Sequence, residues 1–346
     1  MILKFFTRDL VSCRFLNHFQ RLTLLLFLIA MLVIFILSIT AGSFGFTFND
    51  LFNEAKQLNR TVFLEIRIPR VILAAFVGAS LGISGASLQG LFRNPLADPG
   101  LIGVSAGAAL GASLIIVIGT GFLPDFILGV FALPISAIIG ASLVISLLYI
   151  LTRGFGYRGI TYMLLVGIAV NAFVSVAIGL LTYMSSDAEL RGLTFWTMGS
   201  FGGASWYLIL PGLTIIAVTI IWLISSARKL DLLQLGESEA HRLGVDVKKL
   251  KFKVIISSAI IVGISVSLSG MIGFVGLVVP HLVRLLGGVK HSYLLPGSAL
   301  FGASLMMLAD LLSRTSIQPA ELPVGLVTSA IGAPFFLWLI FRIRKT

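Results

Sequence analysis

The sequence predicts an all-α, polytopic membrane protein with ten membrane-spanning helices. Three observations carry that expectation. Of 346 residues, 58% are hydrophobic and only 11% are charged, with a mean hydropathy of +1.06. The apolar residues fall in long continuous runs, whereas a β-barrel would alternate apolar and polar residues in short segments. The basic residues gather in every second connection between runs. A soluble domain carries about 25% charged residues, so this chain cannot cover a water-facing surface. A soluble enzyme, a disordered chain and a disulfide scaffold are thereby excluded. Cys13 stands alone, which rules out an intrachain disulfide and a thiol metal cluster. The net charge of +11 would suggest nucleic acid in a soluble protein. In a membrane protein it reflects Lys and Arg in cytoplasmic loops, so no nucleic-acid partner is expected.

A spanning helix needs about 20 apolar residues. The first run, Leu22 to Ala41, exceeds a signal-peptide core of about 7–15 residues and counts as a span. Next come Pro69 to Leu91, Gly100 to Thr120, Phe126 to Leu151, Ile160 to Met184 and Trp206 to Ser226. After a charged stretch follow Val254 to Ser269, Met271 to Leu286, Leu294 to Ser313 and Pro323 to Phe341. The seventh and eighth runs are separated only by Ser269 and Gly270. The chain reads as one transmembrane domain, 1–346. It comprises an N-terminal segment 1–21, spans one to six in 22–226, a cytoplasmic loop 227–253, and spans seven to ten with the tail in 254–346.

With both termini cytoplasmic, 19 of the 25 basic residues lie inside, as the positive-inside rule asks. They are Lys4, Arg8, Arg14, Arg21, Arg93, Arg153, Arg158, Arg228, Lys229, Arg242, Lys248, Lys249, Lys251, Lys253, Arg284, Lys290, Arg342, Arg344 and Lys345. The outer set is Lys56, Arg60, Arg67, Arg70, Arg191 and Arg314.

Thirty-six glycines include Gly78 and Gly82, the series Gly103, Gly107 and Gly111, and Gly273, Gly276, Gly325 and Gly332. Small residues four apart let helix backbones approach closely in lipid. Such bare helices can also slide against one another. The runs are almost free of charge. Asp310 sits near the outer end of the ninth, and His281 and Arg284 near the inner end of the eighth. An ion-coupled transporter often shows intramembrane charge or broken helices around an ion site. Asn171 in the fifth run is a polar exception suited to an interhelical hydrogen bond. The chain has no G-x-x-x-x-G-K-[ST] phosphate loop, so nucleotide-driven transport would need a separate subunit.

Gly236 to Gly244 reads G-E-S-E-A-H-R-L-G, a short helix. Acidic Glu237 and Glu239 stand at its start and basic His241 and Arg242 at its end, complementing the dipole. Gly244 is placed to cap it, and Asp246 to open the next helix. Leu235, Ala240 and Leu243 are available to dock on a partner. Two short helices between spans would form a rigid knob rather than a solvated linker.

Six stretches resemble the FecCD-type permeases, membrane subunits of ABC importers for iron chelates and cobalamin. They are R-I-P-R at Arg67 to Arg70, G-L-F-R-N-P-L-A-D-P-G-L-I-G-V-S-A-G at Gly90 to Gly107, L-G-E-S-E-A-H-R-L-G-V at Leu235 to Val245, G-F-V-G-L-V-V-P-H-L-V-R at Gly273 to Arg284, L-A-D-L-L-S-R at Leu308 to Arg314, and E-L-P-V-G-L-V-T-S-A-I-G-A-P-F-F-L-W at Glu321 to Trp338. The resemblance implies the type II importer permease architecture in a bacterial inner membrane. It also implies a second copy of the chain, two ATP-binding cassette ATPases beneath and a periplasmic substrate-binding protein above. ATP and Mg would be used by the ATPase, with no cofactor, metal or catalytic residue on this chain.

The resemblance assigns ATPase coupling to Glu237, Ser238, Glu239, Ala240, His241, Arg242, Leu243 and Gly244. It assigns binding-protein docking to Arg67, Arg70 and Arg314, as exposed outer arginines gripping carboxylates. The outer segment Thr194 to Trp206 is expected as a short helix at the mouth. With Asn171, its Phe195, Trp196 and Phe201 are candidates for the path or gate, interfacial anchoring being the plainer role. This segment looks most like heme-type members of the family, a resemblance that leans the cargo toward heme, with ferric siderophores and cobalamin as alternatives within the family. His281 and His291 make no axial iron site, and Met163, Met184 and Met198 suit packing. An ion-coupled secondary transporter is the rival of another class. A membrane enzyme would need a polar cluster that the runs lack.

Overall fold

A computed structural model describes residues 16–41, 60–119, 129, 131–152, 159–317 and 320–343. Lys4, Arg8, Arg14, Lys56, Arg153, Arg158, Arg344 and Lys345 of the charge count lie outside the described residues. Helices, and no strands, make up the described residues. Helix α1 is His18–Thr40, and α2 is Ile68–Phe92, continuing a π-helical turn Val62–Arg67. A 3-10 turn Pro99–Ile102 precedes α3, Val104–Leu114, which runs into a π turn Ile115–Gly119. Then come α4 (Ala132–Thr152), α5 (Gly159–Met184), α6 (Asp187–Met198) and α7 (Trp206–Ile224). Two short helices, α8 (Ala227–Leu233) and α9 (Glu237–Arg242), lead to α10 (Val247–Ser269), α11 (Val275–Gly287), α12 (His291–Thr315) and α13 (Val324–Ile343).

Each of the ten apolar runs falls on a helix, but the helices differ in reach. Seven are long and apolar enough to cross a membrane, while Val104–Gly119, Val275–Gly287 and Val324–Trp338 are shorter. Helix α11 shows why. Its 13 residues rise about 20 Å at 1.5 Å per residue, against about 30 Å of hydrocarbon. Gly276, near its start, lies against Gly85 and close to the Leu81 carbonyl, midway along α2. The chain thus turns at Gly270, where φ is +72°, and runs unhelically inward before α11 begins. Phe274 takes a left-handed φ of 67° at that junction and packs on Gly332 of α13.

The 93–103 connection also reaches the interior. Gly100 accepts from Asn171 Nδ2 at 3.1 Å, at the centre of α5. Gly103 abuts Val144 of α4. Asp98 accepts from the Gly100 amide at 2.8 Å with one carboxylate oxygen, and its other oxygen faces Gly276. A loop carboxylate therefore sits at mid-bundle depth, which reading the apolar runs alone did not locate.

Helix α2 is the centre of the bundle, packed by α12, α10 and α11 and buried along most of its length. Backbone-to-backbone approach makes this possible. A Cβ on Gly78 would strike the Gly302 carbonyl, and one on Gly302 the Gly78 carbonyl. Gly107 and Gly140 close α3 on α4 in the same reciprocal way. In lipid no hydrophobic force draws helices together, so this close contact carries the packing. By contrast, α1, α4, α5 and α7 expose Leu25, Ile139, Phe173 and Val218, apolar residues suited to lipid or to another chain.

Candidate functional site

Helices α2 and α12 run antiparallel, and functional groups collect at their two ends. At one end lie Arg70 of α2 and Asp310 and Arg314 of α12, termed here the arginine end. The other carries α8 and α9 and is termed the knob end.

The arginine end is a closed ion network. Arg70 Nε and Nη2 each contact Asp310 Oδ1 at 2.9 Å, and Nη1 donates to Glu321 at 2.9 and 3.0 Å. Arg314 Nε lies 3.1 Å from the second Asp310 oxygen. The side chains of Arg70, Asp310 and Arg314 are 7%, 1% and 8% exposed, while Glu321 is 48% exposed. Buried charge is tolerable only when paired and hydrogen-bonded, and here each guanidinium is. The remaining donors cap α1. Arg314 donates to the Ser38 carbonyl at 2.7 Å and the Ala41 carbonyl at 3.3 Å, and Arg67 to the Ile39 and Thr40 carbonyls, both at 3.3 Å. Helix α1 has no basic residue in its own last turn. Two arginines from other helices supply the positive charge its C-terminus favours.

The expectation of exposed, free-standing arginines at 67, 70 and 314 is therefore corrected. They are buried structural cations, and the solvent-facing member of the cluster is Glu321. Arg67 sits in the π turn beside Pro69. A proline there has no N–H for the ordinary helical bond to residue 65, and the Ile68 amide bonds Phe63 instead.

Beside this end, α6 spans Asp187–Met198 rather than Thr194 to Trp206. Ser186 and Glu189 form a capping box that starts it, a signal upstream of the aromatic segment. It ends at Gly199, φ +75°, and the following loop is pinned by Ser200 N–H to the Ser269 carbonyl and Val324 N–H to the Gly199 carbonyl. Among the path candidates, Phe195 has an exposed ring and Trp196 a half-buried one. Phe201 is fully buried in the core, so it is a packing wedge and not a wall that cargo meets. Asn171 holds the Gly100 turn. Trp206 donates to the Leu64 carbonyl at 2.9 Å, joining α7 to the turn that begins α2.

The knob end is built from local capping. The Val245 amide bonds the Ala240 carbonyl and the Gly244 amide bonds His241, with Gly244 at φ +84°. This is the Schellman closure, and buried Ala240 and Val245 supply its apolar contact. Asp246 then accepts the Lys249 amide at 3.0 Å and starts α10. Glu237 pairs with Lys251 at 2.8 Å, tying α9 to α10. Ser238, Glu239, His241, Arg242, Leu243 and Gly244 are exposed, and Leu235 and Leu243 are apolar yet 64% and 56% exposed. Ala240 was expected on the docking face and is instead fully buried, because the Schellman turn needs it inside.

Three residues that sequence reasoning did not assign connect this knob to the bundle. Asp231 Oδ1 accepts both the His291 backbone N–H and its ring Nδ1, each at 2.7 Å. Gln234 Nε2 donates to the Gly90 carbonyl at 2.7 Å. No metal-competent group of three His, Cys, Asp or Glu occurs among the described residues.

The model of the FecCD transport family matches residues 25–342. The chain belongs to that family. It is 47% identical over 321 residues to the hemin transport system permease protein of Yersinia pestis, covering 92% of this chain and 95% of the relative. It is 39% identical to the vitamin B12 import system permease protein of Shigella boydii, covering 92% and 94%. It is 41% identical to that of Vibrio parahaemolyticus, covering 86% and 88%. A solved structure described as an inward-facing metal-chelate-type ABC transporter superimposes with a TM-score of 0.82 at 33% identity, covering 92% of this chain and 98% of that one. This is a multi-pass membrane protein.

Proposed function

We propose that this chain is the permease subunit of an ATP-driven importer that carries an iron chelate, heme foremost, from periplasm to cytoplasm by alternating access. The observation that carries this reading is the knob: a capped, rigid, solvent-facing helix pair flanked by exposed Leu235 and Leu243. A motor subunit that hydrolyses ATP with Mg would grip Glu237 to Gly244, and the permease itself would perform no covalent chemistry. The knob end is then cytoplasmic, with both termini on that side, ten crossings and a bacterial inner-membrane location. Two copies would meet around one path, two ATPases would sit below, and a binding protein would dock at the arginine end. Arg67, Arg70 and Arg314 would serve that docking from within the network. An acidic residue of the binding protein would exchange with half-exposed Glu321 on Arg70. Phe195 and Trp196 would stand at the mouth.

Heme leads because the hemin permease shares the most identity among the relatives cited. Vitamin B12 permeases at 39% and 41% identity keep cobalamin as the second reading, with a ferric siderophore as a further relative cargo. Uptake assays in proteoliposomes holding this chain, its ATPase and its binding protein distinguish them. Hemin accumulation that excess cobalamin does not inhibit is expected. Accumulation of cobalamin but not hemin would replace the cargo.

A further inference from the structure

The side-chain bonds of Asp231 and Gln234, at the end of α8, converge on one place. Gly90, in the last turn of α2, meets two other segments. Its carbonyl accepts from Gln234, just past α8. Its α-carbon lies against the His291 ring, which opens α12. His291 in turn is held twice by Asp231 of α8. A Cβ at residue 90 would run into that ring. Beneath this junction Leu230 and Leu233 of α8 are buried, so α8 is seated on the bundle rather than hung from it.

The two helices joined there are the pair in backbone contact at Gly78 and Gly302. At their far ends the same pair is locked by Arg70 and Asp310. A helix pair clamped at both ends and close-packed between cannot bend easily and will move as one body. Helix α9, by comparison, is tied through Glu237 and Lys251 to α10.

We propose that Asp231, Gln234 and His291 are positioning residues that pass displacement of the knob into the α2–α12 pair, and through it to the arginine end. This rests on the knob being the motor's grip. Asp231 need act only as a hydrogen-bond acceptor, so an amide at that position can replace it.

The test uses the full assembly of this chain with its ATPase, in a Cys13→Ser background with Thr315→Cys at the arginine end. The probe is a membrane-impermeant maleimide, and the reading is the ATP-dependent change in alkylation rate at position 315. Asp231→Ala and Gln234→Ala together are expected to shrink that change at least about ten-fold, the scale of losing three hydrogen bonds, while ATP hydrolysis continues. Asp231→Asn is expected to restore it, which a merely structural role for the charge would not allow. Gln234 is exposed, so Gln234→Ala alone reports on the α2 link even if the Asp231→Ala chain fails to assemble. An unchanged response in the alanine variants overturns the proposal. Failure of the native chain to bind its ATPase would instead break the reading of the knob, and this proposal with it.

Discussion

The arginine end and the knob end hold their charged residues in opposite ways. At the arginine end, Asp310 is buried between two guanidiniums. At the knob end, Glu239–Arg242 and Asp246–Lys249 are ion pairs between exposed side chains, and capping geometry together with the Glu237–Lys251 pair sets the shape. The first arrangement fixes one packing of α1, α2 and α12. The second leaves polar faces free for a partner. Rigid internal charge at one end and adaptable surface charge at the other would suit the proposed role, a body that transmits force between two docking faces.

The contrast is broken most directly at Asp310. Asp310→Ala leaves two buried arginines short of a partner, and an unpaired buried charge costs about 3–5 kcal/mol. A large fall in the detergent unfolding temperature is expected, with Glu321→Gln falling far less because Glu321 is half-exposed. Equal effects would erase the distinction between buried and exposed members. Next, Gly78→Val drives a side chain into the Gly302 backbone, an overpacking cost of about 1–3 kcal/mol, read by the same melt.

Gly244→Ala strains a left-handed residue by about 1 kcal/mol. It should loosen α9 and raise its proteolysis rate without moving the bundle's unfolding temperature. The smallest effect is at Asp246. The Lys249 amide and then its ammonium hold that carboxyl below its ordinary 3.8. Its contribution is complete above the ordinary value and is lost as pH falls through the lower folded value. Protection of the amides at the start of α10, measured against their intrinsic exchange rate at each pH, should therefore fall only in acid, and Asp246→Ala should remove that pH dependence.

Local features of this molecule were legible in its sequence. Glycine at 244 after a polar helix and Asp246 before the lysines are nearest-neighbour signals, and both caps formed as expected. Long apolar runs marked the long helices of the bundle, but not α6 or α8. What was not legible depends on residues far apart in the chain. The depth of α11 follows from Gly276 meeting Gly85, and the burial of Arg70 from Asp310, 240 residues away. Asp98 in its N-P-L-A-D-P-G run reads as a surface loop until Gly276 closes over it. The link at Asp231, Gln234 and His291 offered no signal beyond polar residues near span ends, because each side chain's partner lies 60 or more residues off.

Hemin uptake by proteoliposomes holding this chain, with and without its ATPase, is the decisive measurement. Accumulation should require the ATPase and ATP, and should vanish when Leu243→Asp places a charge on the gripped face. Uptake by the chain alone, driven by an ion gradient, would contradict the permease reading.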